Sequence, residues 1–431
     1  MTTIRTGVRI AGLAAAAVAL LAGCATAGTG PAQEQSDGPV TLTFQSLAFQ
    51  EPSVAATKKI VDDWNAANPD IQVEYVQGSW DSVHDQLVTQ FQGGTAPDVI
   101  HDESADIAGF AQQGYLADLG PYLSSETHSA VPQGLWDTVT ADGKVVAAPT
   151  LLQSYVVFAN TDLLTQAGVT VPAGDSWTWD DLAAAAKQAT TPEHAGLGWG
   201  LRQPTATVMS MGLGFGGTFF TGSGESTGLQ VGDAELQVPR RIHDMAQVDR
   251  SLDATSITQS GSDVVRGFLG GKYAMIVGGS FAAQQITEGA QPGFNWTVLP
   301  PLSGTSTTQA ANPQTLSVPA QSPHVQQAAQ FIDYYMQAQN LAAVAQGEWL
   351  IPTSQAAQEA VASATGGTNG WQQTLAGADQ LTSAPFQSVE AYPQWKDQVA
   401  TPALQRYLAG EIDEATLRAQ LMDGWTGIAG R

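Results

Sequence analysis

The stretch "VTLTFQSLAFQEPSVAATKKIVDDWNAANPDIQVEYVQG" (residues 40–78) contains a strand pattern, a helix pattern and a second strand pattern in succession. Its first and last eight residues are rich in β-forming side chains, as strands are. Between them, apolar residues from Val54 to Trp64 recur at mostly helical spacing, and Asn68-Pro69 ends the helix. The stretch therefore predicts one strand–helix–strand unit.

The same order continues downstream. The segments "WDSVHDQLVTQFQGG" and "ADIAGFAQQGYLADL" have helical patterns, and "PDVIHD" between them has the pattern of a short buried strand. Such alternation predicts an α/β fold with a parallel sheet and helices on both faces. Ligands bind such sheets at the carboxyl ends of the strands. These ends are expected at residues 45–51, 78–81 and 101–104.

Further elements are predicted along the remaining chain, and about 390 residues follow the first 38, which favours two lobes rather than one. Strand patterns occupy residues 144–150, 154–160, 273–279 and 295–302. Helical patterns occupy residues 178–190, 238–248, 261–269, 325–336, 341–345 and 401–425.

The N-terminal segment has the pattern of a secretion signal. Two arginines precede an apolar run at residues 10–20, which is too short to span a bilayer. The run leads to "LAGC", which contains the only cysteine of the chain and resembles a bacterial lipobox. That resemblance implies a signal peptide at residues 1–23, a lipidated Cys24 and a flexible tether at 24–38. The alternative is a structural cysteine in a protein core. The residues around Cys24 are polar and rich in glycine, so they cannot bury its sulfur.

The charge balance excludes several classes of partner. The chain has 16 basic and 40 acidic residues and a formal net charge of −24. Nucleic acid and anionic lipid headgroups repel such a chain. The scarcity of basic residues also argues against a phosphorylated or strongly anionic ligand. We therefore expect no nucleic-acid partner and a neutral ligand.

Six segments together resemble the extracellular solute-binding proteins of sugar-import ABC transporters, the maltose-binding-protein-like group. The segments follow one another in the order and at the spacing found in that family, and together they extend over nearly the whole chain after the tether. They are "GGTAPDVI", "FAQQGYLADLGPYL", "GKVVAAPTLLQSYVVFANTDLL", "WTWDDL", "GFLGGKYAMIVGGSF" and "NWTVLP".

The resemblance implies a periplasmic-binding-protein-like fold: two α/β lobes, a hinge and a central ligand cleft. It places residues 39–150 plus 302–349 in the N-terminal lobe and 151–301 plus 350–431 in the C-terminal lobe. It further implies a small carbohydrate ligand, the transmembrane subunits of an ABC permease as partners, and a monomer attached by Cys24 to the outer face of the cell membrane.

Sugars present hydroxyl groups and flat apolar faces, so their sites combine polar side chains with aromatic rings. Candidates near the strand ends of the N-terminal lobe are Phe49, Gln50, Trp80, Asp102 and Glu103. Asp102 and Glu103 are adjacent, so only one is expected to face the ligand. We interpret Asp81 as the N-cap of the following helix.

Further candidates follow from the resemblance and from neighbouring sequence. The family has a polar ligand contact at the position of Gln153 and often a stacking tryptophan at that of Phe281. Arg202 has two interpretations, a hydroxyl or carboxylate contact and a surface salt bridge. The remaining candidates are Tyr155, Trp199, Ser280, Asn312, Gln314 and Trp349.

No catalytic, metal or cofactor site is predicted. The motif "GESTG" matches G-x-S-x-G but lies in a Gly/Ser loop with no helix after it. The six histidines are far apart in sequence, which disfavours a zinc site.

Three functions are compatible with the sequence. The first is a binding module that delivers a neutral mono- to trisaccharide to an importer, with a polyol or a glycerophosphodiester as the next choice of ligand. The second is a secreted glycoside hydrolase, which needs two carboxylates across a sugar; Asp102 or Glu103 could be one. The third is an adhesin or structural lipoprotein without a small-molecule cleft.

Overall fold

The computed structural model describes residues 38–170, 176–222, 226–368 and 370–429. The expected signal peptide, Cys24 and the tether up to residue 37 lie outside these residues. Within the described ranges, no helix combines the length and the apolar character that crossing a bilayer requires.

Strands and helices alternate along the chain with bounds close to those predicted. The strands are β1 (Val40–Ser46), β2 (Ile71–Gln77), β3 (Val99–Glu103), β4 (Thr140–Ala141), β5 (Lys144–Val145), β6 (Ala147–Pro149), β7 (Leu151–Leu152), β8 (Tyr155–Asn160), β9 (Trp177–Thr178), β10 (Ala195–Trp199), β11 (Phe220–Thr221), β12 (Gly228–Leu229), β13 (Tyr273–Gly279), β14 (Trp296–Val298), β15 (Leu302–Ser303), β16 (Gln309–Ala310), β17 (Gln314–Ser317), β18 (Ile351–Pro352) and β19 (Leu381–Thr382).

The helices are α1 (Glu51–Ala67), α2 (Val83–Gly93), α3 (Ser104–Gln112), α4 (Ser125–Ala130), α5 (Gln133–Asp137), α6 (Thr161–Gln166), α7 (Trp179–Gln188), α8 (Thr205–Gly212), α9 (Gln237–His243), α10 (Gly261–Leu269), α11 (Ala282–Gly289), α12 (Val325–Tyr335), α13 (Ala338–Glu348), α14 (Gln355–Thr365), α15 (Trp371–Ala376), α16 (Tyr392–Trp395), α17 (Thr401–Leu408) and α18 (Glu414–Ala429). Single π-helical turns at Asp244–Val248 and Lys396–Ala400 follow α9 and α16.

The first sheet has the strand order β2-β1-β3-β17-β6. Strands β1, β2 and β3 are mutually parallel, as the opening stretch predicts. Strand β17 enters from a distant part of the chain and is antiparallel to both neighbours. In this register Gln314 pairs with Glu103, so the start of β17 lies at the carboxyl end of β3.

The second sheet has the order β10-β13-β8-β14, with β10 parallel to β13 and β8 antiparallel to it. Tyr155 at the start of β8 pairs with Gly279 at the end of β13. Antiparallel pairing therefore brings side chains from strand starts and strand ends to one edge in both sheets.

Amphipathic helices cover these sheets. Helix α1 buries Ile60, Val61 and Trp64, the apolar face that the sequence pattern predicts. The ring of Phe331 on α12 contacts Phe44 on β1 and Trp64, with ring centroids 5.4 and 5.7 Å apart. Burial of these apolar faces, rather than helix propensity, is the main source of helix stability in a protein.

Two local expectations are wrong. Asp81 is not the cap of α2, because the helix begins at Val83 and Ser82 occupies the N-cap position without a capping side-chain bond. The helical pattern over residues 401–425 forms two helices, α17 and α18. Gly410 between them has a φ of +76°, which a glycine adopts at little cost and which ends a helix.

The chain passes from the first sheet to the second after Pro149 and returns between Val298 and Gln314. The short strands β7 and β18 pair antiparallel between the sheets. The expected two-lobed α/β fold is confirmed, whereas the exact lobe boundaries stay a prediction.

Candidate ligand-binding cleft

The facing edges of the two sheets line a cleft, here called the main cavity, whose empty space of about 1020 Å³ includes space open to solvent. Its wall combines aromatic rings with amide, carboxyl, hydroxyl and ammonium groups. The lining residues are Phe49, Trp80, Glu103, Ala105, Gln153, Tyr155, Ala206, Ser210, Phe281, Ala310, Asn312, Gln314, Glu348, Leu350, Phe386, Tyr392 and Lys396.

Glu103 ends β3 and is held by the segment before β17. Its Oε2 accepts a hydrogen bond of 2.8 Å from Nδ2 of Asn312, whose Oδ1 accepts from Ser104 Oγ and the Ala105 amide. Burial raises the pKa of Glu103, and the positive charge of Lys396 opposes part of that shift. The pair thus presents one carboxyl group in a fixed orientation at the cavity wall.

A buried histidine orients the next polar group. Nδ1 of His101 accepts from the Leu47 amide at 3.0 Å, so its Nε2 carries the proton and donates to Oε1 of Gln314 at 3.0 Å. Burial lowers the pKa of His101 to about 4, which keeps the ring neutral at ordinary pH. Because the oxygen of Gln314 is occupied, its amide nitrogen is the group it offers to Glu348 or to a ligand.

Aromatic rings from both lobes form the apolar part of the wall. Phe49 after β1 and Phe281 after β13 meet edge to face, with centroids 6.3 Å apart. Trp80 lies partly exposed at the mouth and packs its ring edge to face against His101. Tyr155 adds a phenol group, and burial raises its pKa, so it stays a neutral donor.

Eight predicted residues line the main cavity and are brought together by the fold: Phe49, Trp80, Glu103, Gln153, Tyr155, Phe281, Asn312 and Gln314. Their side chains come from six separate segments of sequence, and the strand pairings described above explain why these segments meet. Their role as ligand contacts stays a prediction.

Three predicted residues do not line the main cavity in this structure. Gln50 is buried, and its Nε2 donates to the carbonyl oxygens of Glu348 and Phe281. Ser280 is fully buried, and its amide donates to Ser154. Trp349 ends α13 with a φ of +56°, and its ring stacks on Trp371 at 4.6 Å outside the cavity lining.

Trp199 and Arg202 line a second, adjoining cavity that shares Gln153, Tyr155 and Phe281 with the main one. The Trp199 side chain is 1% exposed and stacks on Trp179 with centroids 6.0 Å apart. Arg202 is exposed at this rim. Trp199 therefore packs in the core of the C-terminal lobe rather than presenting a free face.

Asp102 does not reach the main cavity. It lines a neighbouring space, here called the acidic compartment, whose wall contains the carboxyl groups of Asp81, Asp85, Asp102, Glu103, Asp106 and Asp397. Trp80, Glu103 and Lys396 border both spaces. Over the described ranges, no three His, Cys, Asp or Glu side chains converge as a metal ion would require.

Several cavity residues were missed from the sequence. Glu348 is 1% exposed and its Oε1 accepts from Ser53 Oγ at 2.7 Å. The sequence predicts the neighbouring Trp349 in its place. Phe386, Tyr392 and Lys396 lie in "APFQSVEAYPQWK", where the patterns used above predict no element. The high density of aromatic residues in that segment is the sequence feature that could have indicated a binding site.

Glycine at position 279 sets the shape of the cavity. A Cβ there would lie 2.4 Å from the Phe281 ring and 2.9 Å from Cδ of Gln153, so Gly279→Ala must displace both side chains. We expect ligand affinity to fall about three- to tenfold, the equivalent of the ~0.5–1.5 kcal/mol that a forced rotamer costs. Titration calorimetry of the variant and the wild type with the same sugar measures the change in affinity.

Gly278→Ala is the matched control, since its Cβ would meet only Ala282 and Phe158 at 3.8 and 3.9 Å. Equal loss of affinity in the two variants would contradict a specific effect on Phe281 and Gln153.

Comparison with known proteins agrees with this architecture. The sequence profile of bacterial extracellular solute-binding proteins matches residues 49–342. An uncharacterized lipoprotein in the oleD 5' region of Streptomyces antibioticus is 43% identical over 414 residues, 95% of this chain and 89% of that protein. The maltodextrin-binding protein MdxE of Bacillus subtilis is 27% identical over 286 residues, 64% of each chain.

Among solved structures, the GacH receptor of Streptomyces glaucescens, studied unliganded and with acarbose, has a TM-score of 0.76 at 23% identity and covers 90% of this chain and 98% of its own. The cyclic alpha-maltosyl-1,6-maltose binding protein of Arthrobacter globiformis has a TM-score of 0.77 at 17% identity, with 91% and 99% covered. At these identities the likeness concerns the fold. The resemblance inferred from the sequence is confirmed, and the chain belongs to the bacterial extracellular solute-binding proteins.

Proposed function

We propose that this protein is the substrate-binding lipoprotein of an ABC importer. It captures a sugar of one to three rings in the main cavity and delivers it to the membrane permease. Contacts from both lobes reach such a ligand only when the cleft is closed, so binding favours the closed state. The lipid at Cys24 holds the protein at the outer face of the membrane.

The observation that carries the proposal is the composition of the main cavity. Phe49, Trp80 and Phe281 offer apolar ring faces, while Glu103 and Gln314 offer an acceptor and a donor in fixed positions. This mixture suits the alternating apolar faces and hydroxyl edges of a sugar.

Charge supports a ligand without negative groups. Lys396 is the one basic side chain in the lining of the main cavity, and it lies near Glu103, which its charge affects. The net charge of −24 would also repel an anionic solute. A neutral sugar therefore stays the proposed ligand.

The names of similar proteins support a carbohydrate ligand, since they describe binding of maltodextrin, acarbose and a cyclic maltosyl sugar. A polyol or a glycerophosphodiester is the weaker choice, because the named ligands of similar proteins are sugars and, among the described residues, the lining of the main cavity has one basic side chain, Lys396, to face a phosphodiester. The hydrolase alternative has no comparable support, since Glu348, a second carboxyl in the cavity, is already bonded to Ser53.

Thermal unfolding of the purified protein against a panel of sugars, polyols and glycerophosphodiesters tests the proposal. A ligand at about 100 times its dissociation constant stabilises by roughly 2.7 kcal/mol, which raises the melting temperature by several degrees. We expect sugars of one to three rings to respond, with no release of reducing sugar on prolonged incubation. A response to glycerophosphodiesters alone, or turnover of the bound sugar, would overturn the proposal.

A further inference from the structure

We propose that Lys396 and Glu103 bind one hydroxyl group of the sugar between them, so that the substrate class is a saccharide with a free hydroxyl group at that ring position. The hydroxyl donates its proton to the Glu103 carboxylate and accepts a hydrogen bond from the Lys396 ammonium group. This inference rests on the proposed function and adds a specificity-determining residue to it. Lys396 lies beyond residue 342, where the match to the family profile ends, so family membership alone assigns it no role.

Lys396 is held at the main cavity by a well-anchored part of the chain. It opens the π-helical turn that follows α16, and such turns are frequent at functional sites. Its neighbour Trp395 is 1% exposed and donates from Nε1 to the carbonyl oxygen of Leu421 at 3.2 Å. Tyr392 lies four residues earlier and lines the main cavity as Lys396 does. The lysine side chain therefore extends to the cavity from a fixed backbone.

The ammonium group of Lys396 has unused hydrogen-bond donors. Within the described ranges its one ion pair joins Nζ to Oδ1 of Asp397 at 3.9 Å, which is too long for a hydrogen bond. The Asp397 side chain is 66% exposed, so water weakens this contact, whereas the Lys396 side chain is only 28% exposed. An ammonium group has three donors and no acceptor, and burying it without acceptors is costly. A ligand in the main cavity supplies an acceptor.

Glu103 reaches the same place from the first sheet with a free acceptor. Its Oε2 accepts from Asn312, while its Oε1 has no hydrogen bond from the described residues. Trp80, Glu103 and Lys396 border both the main cavity and the acidic compartment, so the two charged groups lie at the passage between these spaces. They do not form an ion pair with each other, yet the charge of Lys396 lowers the pKa of Glu103, which shows that they are close.

A hydroxyl group has the chemistry that such a pair requires. It carries one O–H donor and two acceptor lone pairs, so it can bond to a carboxylate and an ammonium group at once. Hydrogen bonds with one charged partner are also about twice as strong as neutral ones. A methylene group offers neither function, and an ether oxygen has no proton for Glu103. A sugar that is deoxygenated at this position should therefore bind poorly.

The alternative is that Lys396 only offsets the negative charge of the acidic compartment, whose wall contains several carboxyl groups. This role acts over a distance and needs no contact with the ligand. Removal of the lysine would then weaken the binding of a sugar and of its deoxy derivatives by the same factor. The direct contact that we propose instead makes the effect of the lysine depend on one hydroxyl group.

The experiment is titration calorimetry of the purified full-length protein with glucose, galactose, maltose, maltotriose, cellobiose and lactose. The monodeoxy derivatives of whichever of these sugars binds most tightly follow. The variants are Lys396→Met, which keeps an unbranched apolar stem and removes the charge, Glu103→Gln, and the double variant. Lys144→Met is the matched control, because Lys144 is exposed and lies outside the lining of both spaces. Thermal unfolding of each free variant checks that the fold is retained.

In the wild type we expect one deoxy position to weaken binding about 10- to 100-fold, as loss of a hydrogen bond to charged groups implies. Lys396→Met should bind the parent sugar about tenfold more weakly. The deoxy penalty at that position should shrink in each single variant and fall below about threefold in the double variant, because the groups that contact the hydroxyl are gone. Lys144→Met should keep both the affinity and the full penalty.

The inference fails if Lys396→Met binds the parent sugar as tightly as the wild type does. It also fails if every deoxy penalty is the same in Lys396→Met as in the wild type, since the lysine then acts only at a distance. In both cases the proposed sugar-binding function stands. If neither these six sugars nor those of the thermal panel bind, the proposed function fails and the inference fails with it.

Discussion

Replacing Trp199 with alanine is expected to destabilise the protein by about 3–5 kcal/mol, the usual cost of truncating a large buried aromatic side chain. The ring is 1% exposed and stacks on Trp179. Neighbouring strands and helices cannot collapse fully into the space of an indole, so a cavity remains. Urea unfolding followed by intrinsic fluorescence measures the loss as a lower transition midpoint.

Trp80→Ala is the matched control for this prediction. Trp80 is partly exposed at the mouth of the cavity, so its removal should change stability far less and should weaken sugar binding instead. If Trp199→Ala unfolded at the wild-type midpoint but lost ligand affinity, then Trp199 would be a stacking platform for sugar, as its position in the sequence suggests.

Glu103→Gln should weaken ligand binding by about 10- to 100-fold without loss of stability. Hydrogen bonds to a charged acceptor are worth roughly 1.5–3 kcal/mol, and the amide keeps the shape of the side chain while removing its charge. Burial is already unfavourable to the ionised form of this carboxyl, so its replacement costs the fold little. Titration calorimetry and thermal unfolding measure the two effects separately.

The pH dependence of binding follows from the same group. The pKa of Glu103 is raised, so the carboxylate form is present above that raised value and is lost as the pH falls through it. Affinity in the wild type should therefore decline toward acid at a higher pH than an ordinary carboxyl would give. Glu103→Gln should remove this component of the decline.

Glu126→Gln, an exposed position on α4 in the same lobe, is the charge control and should bind like the wild type. An unchanged affinity in Glu103→Gln would show that the carboxylate does not touch the ligand.

Local sequence patterns predict the fold well where one side of an element is buried. Helix α1 has its apolar residues on one face, β1 and β2 are rich in β-forming residues, and β3 is a short buried strand, so both their existence and their order follow from the sequence. The pattern fails where a single glycine interrupts a helix, as at Gly410. It also fails to place β17, because its partner strands are more than 150 residues away in the chain.

Some residues of the candidate site can be predicted from the sequence, and others cannot. Strand-end positions such as Phe49, Glu103 and Phe281 are accessible to sequence analysis because the fold class dictates that ligands meet the ends of strands. Glu348, Tyr392 and Lys396 are not, since they reach the main cavity from helix ends and turns whose position depends on packing. Trp199 shows the converse, because a tryptophan beside glycines looks exposed in the sequence and is buried in the fold.

The sequence by itself therefore determined the α/β class and the strand ends that border the main cavity, because hydrophobic periodicity and turn residues are local properties. Its resemblance to a known family indicated the two lobes. Only the tertiary structure decided which of two adjacent carboxyls faces the main cavity. Successive side chains on a strand point to opposite faces. In this fold Glu103 faces the cavity beside Asn312, whereas Asp102 faces the acidic compartment. Which face lies inside a cleft depends on contacts between residues about 200 positions apart, here β3 and β17.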